Sequence, residues 1–295
     1  MARVRDLLEA VPNFSEGRDD GVLEAIGSAI GAHARVLDVH ADGDHNRSVF
    51  TCVGEPDALV DGLAAGIAEA AGRIDLRTHR GVHPRVGAAD VVPIVRFRDG
   101  DDRPRLAALE LARRIGRLGI PALGYGDLGD GRRPAFFRAG GTERLSERLA
   151  GGELAPLAGP AALHPTAGAA LVGVRAPLVA FNVDLATDRV GVAHEIARLV
   201  RASSGGLPGV QALGMLAGGR AQVSMNLIDV SATSLEAVVR EVERLAGERG
   251  VEVHGSELVG LMPAAVGAQA AGQALRLAEM RADRLLEVAV TGEFG

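Results

Sequence analysis

The stretch Leu178-Val179-Ala180-Phe181-Asn182-Val183 decides the fold, because the pattern that follows it repeats the one that opens the chain. It reads as a strand. Behind it come a helical pattern from Asp188 to Val200, strands at Val210 to Leu216 and Gln222 to Ile228, a helix from Ser234 to Ala246 and a strand from Val251 to Glu257. That order is βαββαβ, and an Ala/Leu-rich helix over 268–286 closes the chain. The first half has the same plan. A strand at Leu8 to Phe14 precedes a helix at Asp19 to Ala34, whose Val22, Leu23, Ile26 and Ile30 keep helical spacing. Strands follow at Arg35 to Val39 and Arg47 to Val53, then a helix from Glu55 in which Leu59, Leu63 and Ile67 recur every fourth residue, then a strand at Val91 to Phe97. A helix from Pro104 to Leu118 and a short strand from Ala122 to Tyr125 extend this half.

The repeat predicts an α/β (α+β) chain of two ferredoxin-like subdomains with mixed or antiparallel sheets, residues 1–175 and 176–295. Gly-, Pro- and Arg-rich loops are expected around Asp127 to Arg138 and Gly151 to Pro165. Asparagine marks the repeat independently. The four in the chain are Asn13 and Asn182, in the first strand of each half, and Asn46 and Asn226, at the third. Strands are poor places for Asn, so one face or end of each sheet is expected to be polar; capping or turn formation is the plainer alternative.

Composition narrows the chemistry. All 32 basic residues among the 295 are arginine, which removes Schiff-base catalysis, a lysine nucleophile and a Walker-type phosphate lysine. Seven Phe and one Tyr, with a net charge of −6, argue against a base-stacking nucleic-acid groove. The single Cys52 lies in an apolar run and reads as a small buried hydrophobe. No signal peptide and no apolar run of membrane-spanning length stand in the sequence, so a soluble, cytoplasmic protein is expected.

Two polar clusters stand out. Asp38-Val39-His40-Ala41-Asp42-Gly43-Asp44-His45-Asn46-Arg47 lies between two strands and suits a polar substrate-binding loop, plain turn chemistry or, less well, a divalent metal. Arg77-Thr78-His79-Arg80-Gly81-Val82-His83-Pro84-Arg85-Val86-Gly87 has two histidines at i, i+4, but lacks the metalloprotease Glu and carries Gly81 and Pro84, so it reads as a loop. There an imidazole can work beside anions held by guanidinium forks, unless the loop is simply basic and solvated. Gly124-Tyr125-Gly126-Asp127-Leu128-Gly129 matches a dinucleotide fingerprint, but Asp127 would face the pyrophosphate and a loop follows where a helix is required. Gly159-Pro160-Ala161-Ala162-Leu163-His164-Pro165-Thr166-Ala167-Gly168 reads by composition as a linker.

Several segments together resemble the glutamate formiminotransferase family: Val11-Pro12-Asn13-Phe14-Ser15-Glu16-Gly17, Asp38 to Gly54, His83-Pro84-Arg85-Val86-Gly87-Ala88-Ala89-Asp90, Ala180-Phe181-Asn182-Val183-Asp184, Gln222-Val223-Ser224-Met225-Asn226-Leu227 and Gly255-Ser256-Glu257-Leu258-Val259-Gly260-Leu261. The resemblance implies transfer of a formimino group from N-formiminoglutamate to tetrahydrofolate as co-substrate, with a site in a cleft between two subdomains and a homodimer; animal members carry a second, cyclodeaminase domain, and a separate cyclodeaminase is a candidate partner here. It implies that His83 is the catalytic histidine, with Asp38 and His40 assisting, and that Gly159, Pro160, Ala161, Ala162, Leu163, His164, Pro165, Thr166, Ala167 and Gly168 form the folate-binding segment. Asn13, Asp42, His45, Asn46, Arg47, His79, Arg80, Arg85, Asn182 and Asn226 are the expected substrate-binding residues, and no metal is expected. His40 stands where animal members carry an aspartate, and Ala167 where they carry Trp. Rival readings are formyl transfer on the same fold, a non-catalytic folate-binding protein, and a metal hydrolase built on His40, Asp42, Asp44 and His45.

Overall fold

The computed structural model describes residues 7–82, 84–97, 100–263 and 266–267. His83 and the helix expected over 268–286 lie outside the described residues. The chain divides into two compact units, Met1–Ala176 and Pro177–Gly295.

The first unit opens with a strand interrupted at Pro12, which has no N–H for a ladder: β1 (Leu8–Ala10) and β2 (Asn13–Phe14). Helix α1 (Asp20–Gly31) starts where the Asp19 side chain accepts from the Val22 N–H, and it buries Leu23, Ile26 and Ile30. The hairpin β3 (Arg35–Asp42) and β4 (Arg47–Gly54) follows, then α2 (Pro56–Arg73) and β5 (Ala89–Val95). β4 pairs with both β3 and the broken first strand, and that strand pairs in turn with β5, all antiparallel. This is the ferredoxin-like arrangement expected from the sequence. α1 and α2 cover one face, where Phe14 and Phe50 meet edge to face at 5.3 Å among Ile26, Ile30, Leu63 and Ile67.

The unit then grows beyond that plan. α3 (Arg103–Arg117) leads to β6 (Ala122–Gly126), and β7 (Ala170–Arg175) inserts parallel between β5 and β6. Between β6 and β7, α4 (Pro134–Arg138) and α5 (Gly141–Ala150) place Phe137, Leu145 and Leu149 on Val91, Leu123, Tyr125 and Leu171, on the sheet face opposite α1 and α2. The stretch expected to be loop from Asp127 to Arg138 therefore ends in a helix, because Phe137 has an apolar layer to cover. The Gly124–Gly129 run carries the end of β6 into a tight turn: a Cβ on Gly129 would stand 2.0 Å from the Gly124 carbonyl oxygen, and no helix follows at once.

The second unit is β8 (Val179–Leu185), α6 (Val190–Val200), β9 (Val210–Ala217), β10 (Arg220–Leu227), α7 (Leu235–Gly247) and β11 (Val253–Val259). Its sheet runs β11-β8-β10-β9, all antiparallel. Val179, Phe181, Val183 and Leu185 alternate onto the helices, while Ala180, Asn182 and Asp184 face the other way. Among the described residues no helix is long and apolar enough to cross a membrane.

Candidate active site

The tight hairpin turn between β3 and β4 is built by its own side chains. Asp42 Oδ1 accepts from the backbone N–H groups of Asp44 and His45, each at 2.8 Å, and Oδ2 accepts from His45 Nδ1 at 2.6 Å. Burial raises the Asp42 pKa, but these hydrogen bonds and the His45 charge interaction more than offset it, leaving about 2. Asn46 then turns the chain with φ 47°, a left-handed conformation that Asn tolerates. The turn reading thus holds for Asn46, which precedes the strand, whereas Asn13, Asn182 and Asn226 are strand residues.

This turn is the hub on which two other loops hang. Asn46 Oδ1 accepts from the Gly17 N–H at 3.0 Å and its Nδ2 donates to the Arg80 carbonyl at 2.9 Å. Arg18 Nε donates to the Gly43 carbonyl at 2.6 Å, and Arg85 Nη2 to that of His45 at 3.4 Å. Glycine is required where these loops touch. A Cβ on Gly17 would lie 2.2 Å from the Asp42 carbonyl oxygen, and one on Gly81 would lie 2.3 Å from that of His45. The two polar clusters of the sequence are therefore one structure. His79 lies against the Arg85 guanidinium, whose Nη1 reaches its ring nitrogens. Burial first, and the Arg85 charge second, hold the His79 pKa below its ordinary value, so this imidazole favours the neutral form.

Register sets the face of the sheet beside the turn. Asp38 is opposite Thr51, His40 opposite Val49, and Asp42 opposite Arg47; Val49 is in turn opposite Asn13. Directly paired residues share a face, so Asp38, His40, Arg47 and Asn13 lie on one surface. The sheet has an irregularity where Asn13 pairs with Val91 but Phe14 pairs with Ala89. Asp90 is the extra residue of this bulge, which re-aims its carboxylate. It is fully buried and accepts from the Val86 N–H at 2.7 Å, from Arg47 Nη1 at 2.8 Å and from Arg138 Nη2. Arg47 also donates from Nε and Nη2 to Asn13 Oδ1, at 3.2 and 2.5 Å. Burial raises the Asp90 pKa, yet Arg138 and Arg47 hold it below the usual carboxylate range. Arg138 and Asp90 were not singled out as site residues from the sequence; Asp90 closes the quoted His-Pro-Arg segment, whereas Arg138 is one arginine among many in a stretch read as loop.

The segment 159–168 is stitched to the same loop. Leu76 N–H donates to the Thr166 carbonyl and Ala88 N–H to that of Ala167, both at 2.9 Å, and Ala169 N–H donates to the Val86 carbonyl at 2.9 Å. His164 and Gly168 exchange backbone hydrogen bonds at 2.9 and 3.0 Å, and His164 Nδ1 accepts from the Ala167 N–H at 3.0 Å. Gly159, Pro160, Ala161, Ala162 and Pro165 are exposed, while Ala167 is buried within the main core, so its methyl group packs under the sheet. In the second unit, Asn182 Nδ2 donates to Glu257 Oε2 at 3.1 Å and Gln222 Nε2 donates to Asp184 Oδ1 at 2.9 Å, with Asn226 exposed at the end of β10. Arg80 is exposed and its Nη1 donates to the His79 carbonyl at 2.9 Å. Among the described residues no three His, Cys, Asp or Glu side chains converge as a metal site.

Comparison with known proteins places this geometry. Residues 7–175 match the family described as the formiminotransferase domain, N-terminal subdomain, and residues 180–288 match the formiminotransferase domain. A glutamate formimidoyltransferase of Streptococcus pyogenes serotype M1 is 39% identical over 269 residues, covering 88% of this chain and 89% of that protein. One from Thermoplasma acidophilum is 38% identical over 273 residues, covering 87% and 88%. The formimidoyltransferase-cyclodeaminase of Sus scrofa is 40% identical over 273 residues, which span 87% of this chain but 50% of that longer protein. The chain belongs to the formiminotransferase family.

Proposed function

We propose that this enzyme transfers the formimino group of N-formimino-L-glutamate to N5 of tetrahydrofolate, giving 5-formiminotetrahydrofolate and L-glutamate, with His83 as general acid and base. Family membership sets the reaction. The observation that supports the site is the hub at Asn46, which ties Gly17 and Arg80 to the hairpin turn, while residues 166–169 bond to Leu76, Val86 and Ala88. Position 83 falls between these anchored residues in the sequence.

The chemistry needs little beyond position and one proton carrier. N5 attacks the amidine carbon, forming a C–N bond and a tetrahedral intermediate; one proton leaves N5, one reaches the glutamate nitrogen, and the bond from carbon to that nitrogen breaks. A single imidazole that titrates near neutrality accepts the first proton and returns the second, which contributes about 10²–10⁴-fold. Holding two substrates in register supplies much of the rest. His79 lies against the Arg85 guanidinium, and burial and that charge hold its pKa below the ordinary value. Asp38 and His40, on the sheet face beside the turn, assist or orient, and the carboxylates of both substrates suit the arginines clustered there. The 159–168 segment is the proposed folate contact, through its exposed residues 159–162 and 165.

The test is an assay with tetrahydrofolate and each donor separately. Turnover with N-formiminoglutamate is expected, and turnover with N-formylglutamate alone would overturn the assignment. A cytoplasmic homodimer accompanies this reading, and sizing of the purified protein checks the oligomer.

A further inference from the structure

The Asp90 cluster has more positive charge than its own residues balance. The carboxylate meets two guanidiniums, Arg47 and Arg138, and a third, Arg85, is near enough for its charge to bear on Arg47. All five N–H groups of a guanidinium are donors, and burying one without acceptors is costly. Arg47 meets that demand, with Asn13 on one edge and Asp90 on the other. Arg138 does not. Its one hydrogen bond among the described residues goes to Asp90, its side chain is only 14% exposed, and its Nε is buried with no acceptor. Asp90 brings one negative charge to the two guanidiniums, and its Oδ1 is turned to the Val86 N–H. Burial is the main cause that lowers the Arg47 pKa to about 10; Asp90 opposes it, and the Arg138 and Arg85 charges add to it.

Arg138 is also fixed in place. α4 carries it at its last residue, one position after Phe137, which is 2% exposed in the apolar layer of Leu145, Leu149 and Tyr125. A guanidinium that is half-paired, buried and immobilised is prepared for an incoming anion at little ordering cost.

We propose that Arg138 is a substrate-binding residue that holds a carboxylate of a glutamate moiety, the anion that completes the charge balance around Asp90. The inference rests on the transferase reading and adds to it the residue that selects a dicarboxylic glutamyl group. Both substrates carry such carboxylates, one in the formimino donor and the other in the tail of the folate.

The experiment compares kcat/KM for substrates with and without a carboxylate, in the full-length chain and in Arg138→Gln. In the donor arm, N-formiminoglutamate is set against N-formimino-4-aminobutyrate and N-formimino-2-aminobutyrate, which lack the α- and γ-carboxylates respectively. In the folate arm, tetrahydrofolate is set against tetrahydropteroate, which lacks the glutamate. The wild type is expected to prefer the complete substrate in one arm, and Arg138→Gln to shrink that preference about 10–100-fold through KM, as for loss of a charge-assisted hydrogen-bond pair. Arg138→Lys, which keeps a charge beside Asp90, is expected to fall between the two and serves if the Gln variant does not fold. Loss of preference in the donor arm assigns the donor's carboxylate, and loss in the folate arm assigns the tail. An unchanged preference in both arms, or an equal fall for all substrates, overturns the role. A wild type inactive with every formimino donor overturns the transferase reading as well, whereas an active one with unchanged preferences overturns Arg138 alone.

Discussion

The two units share one strand order but treat the sheet face opposite the two repeated helices in opposite ways. In the second unit that face has polar side chains that satisfy one another in neutral–charged pairs, Asn182 with Glu257 and Gln222 with Asp184. In the first unit the same face is extended by β6 and β7, partly roofed by α4 and α5, and centred on a buried carboxylate between two guanidiniums. A repeated fold thus supplies the frame twice, while the insertion between α3 and β7 supplies what is particular to one copy: Arg138 and the 159–168 segment. Concentrated buried charge belongs to the first unit.

The largest expected effect is on turnover. His83→Ala should reduce transfer by about 10²–10⁴-fold and leave the melting temperature and ligand binding close to wild type. Asn226→Ala, at an exposed position on the second unit's sheet, should cost less than tenfold, about 1.4 kcal/mol. Comparable losses from both would mean that the asymmetry does not extend to catalysis.

Stability comes next. Asp90→Asn leaves Arg47 and Arg138 without their shared anion in a buried place, for an expected loss of about 3–5 kcal/mol, read by urea unfolding. Asp184→Asn removes the charge from a half-buried pair that an amide can still satisfy, and about 1 kcal/mol is expected. Equal losses would refute the claim that the first unit concentrates charge where the second distributes it. Backbone crowding occurs in both units, a Cβ on Gly214 standing 2.3 Å from the His194 backbone nitrogen, and contrasts single positions. Gly81→Ala drives a Cβ to 2.3 Å from the His45 carbonyl and should cost about 1–3 kcal/mol, with turnover falling as the loop containing His83 moves. Gly191→Ala, in α6 with nothing within 4 Å, should instead stabilise by about 0.5–1 kcal/mol.

How much of this was legible in the sequence follows from the range over which each feature is encoded. The βαββαβ orders were readable because burial of one face writes a local period into α1, α2, α6 and the strands. β7 was missed although Leu171-Val172-Gly173-Val174 is an apolar run, because it follows a long irregular stretch and its parallel partners are remote in sequence. α5 shows only Leu145 and Leu149 at helical spacing, too little periodicity to stand out among charges. The polar clusters were visible as composition, but that they form one hub rests on bonds such as Gly17 to Asn46 and Asn46 to Arg80, which span 29 and 34 residues. Arg138 was invisible for the same reason: its contact with Asp90 spans 48 residues, and the bulge that turns Asp90 toward it has no local signature. The role of His83 came from resemblance alone, since the residue types around it suit an ordinary basic loop equally well.

The contrast that best isolates the hub is one of pH dependence. Asp42 in the first unit and Asp229 in the second play the same part in their turns, each accepting from two backbone N–H groups two and three residues ahead. They differ in what surrounds them: Asp229 is exposed, whereas the Asp42 side chain is 26% exposed and grips His45. The pKa of Asp42 falls to about 2 from an ordinary 3.8, so the folded chain releases a proton more readily than the unfolded one. Its contribution is therefore complete above pH 3.8 and is lost as the pH falls through that value toward 2. Asp42→Asn keeps an oxygen for the turn and removes the charge, so it should cost about 1–2 kcal/mol at pH 7 and flatten the stability profile in that acid window. The corresponding change at Asp229, whose pKa is lowered mainly by the Ser231 hydroxyl, should leave the profile nearly unaltered because solvent screens it. Urea unfolding at steps between pH 5 and 2.5 measures both; the same flattening in each would show that the hairpin turn owes its acid sensitivity to generic turn geometry and not to its clasp on His45.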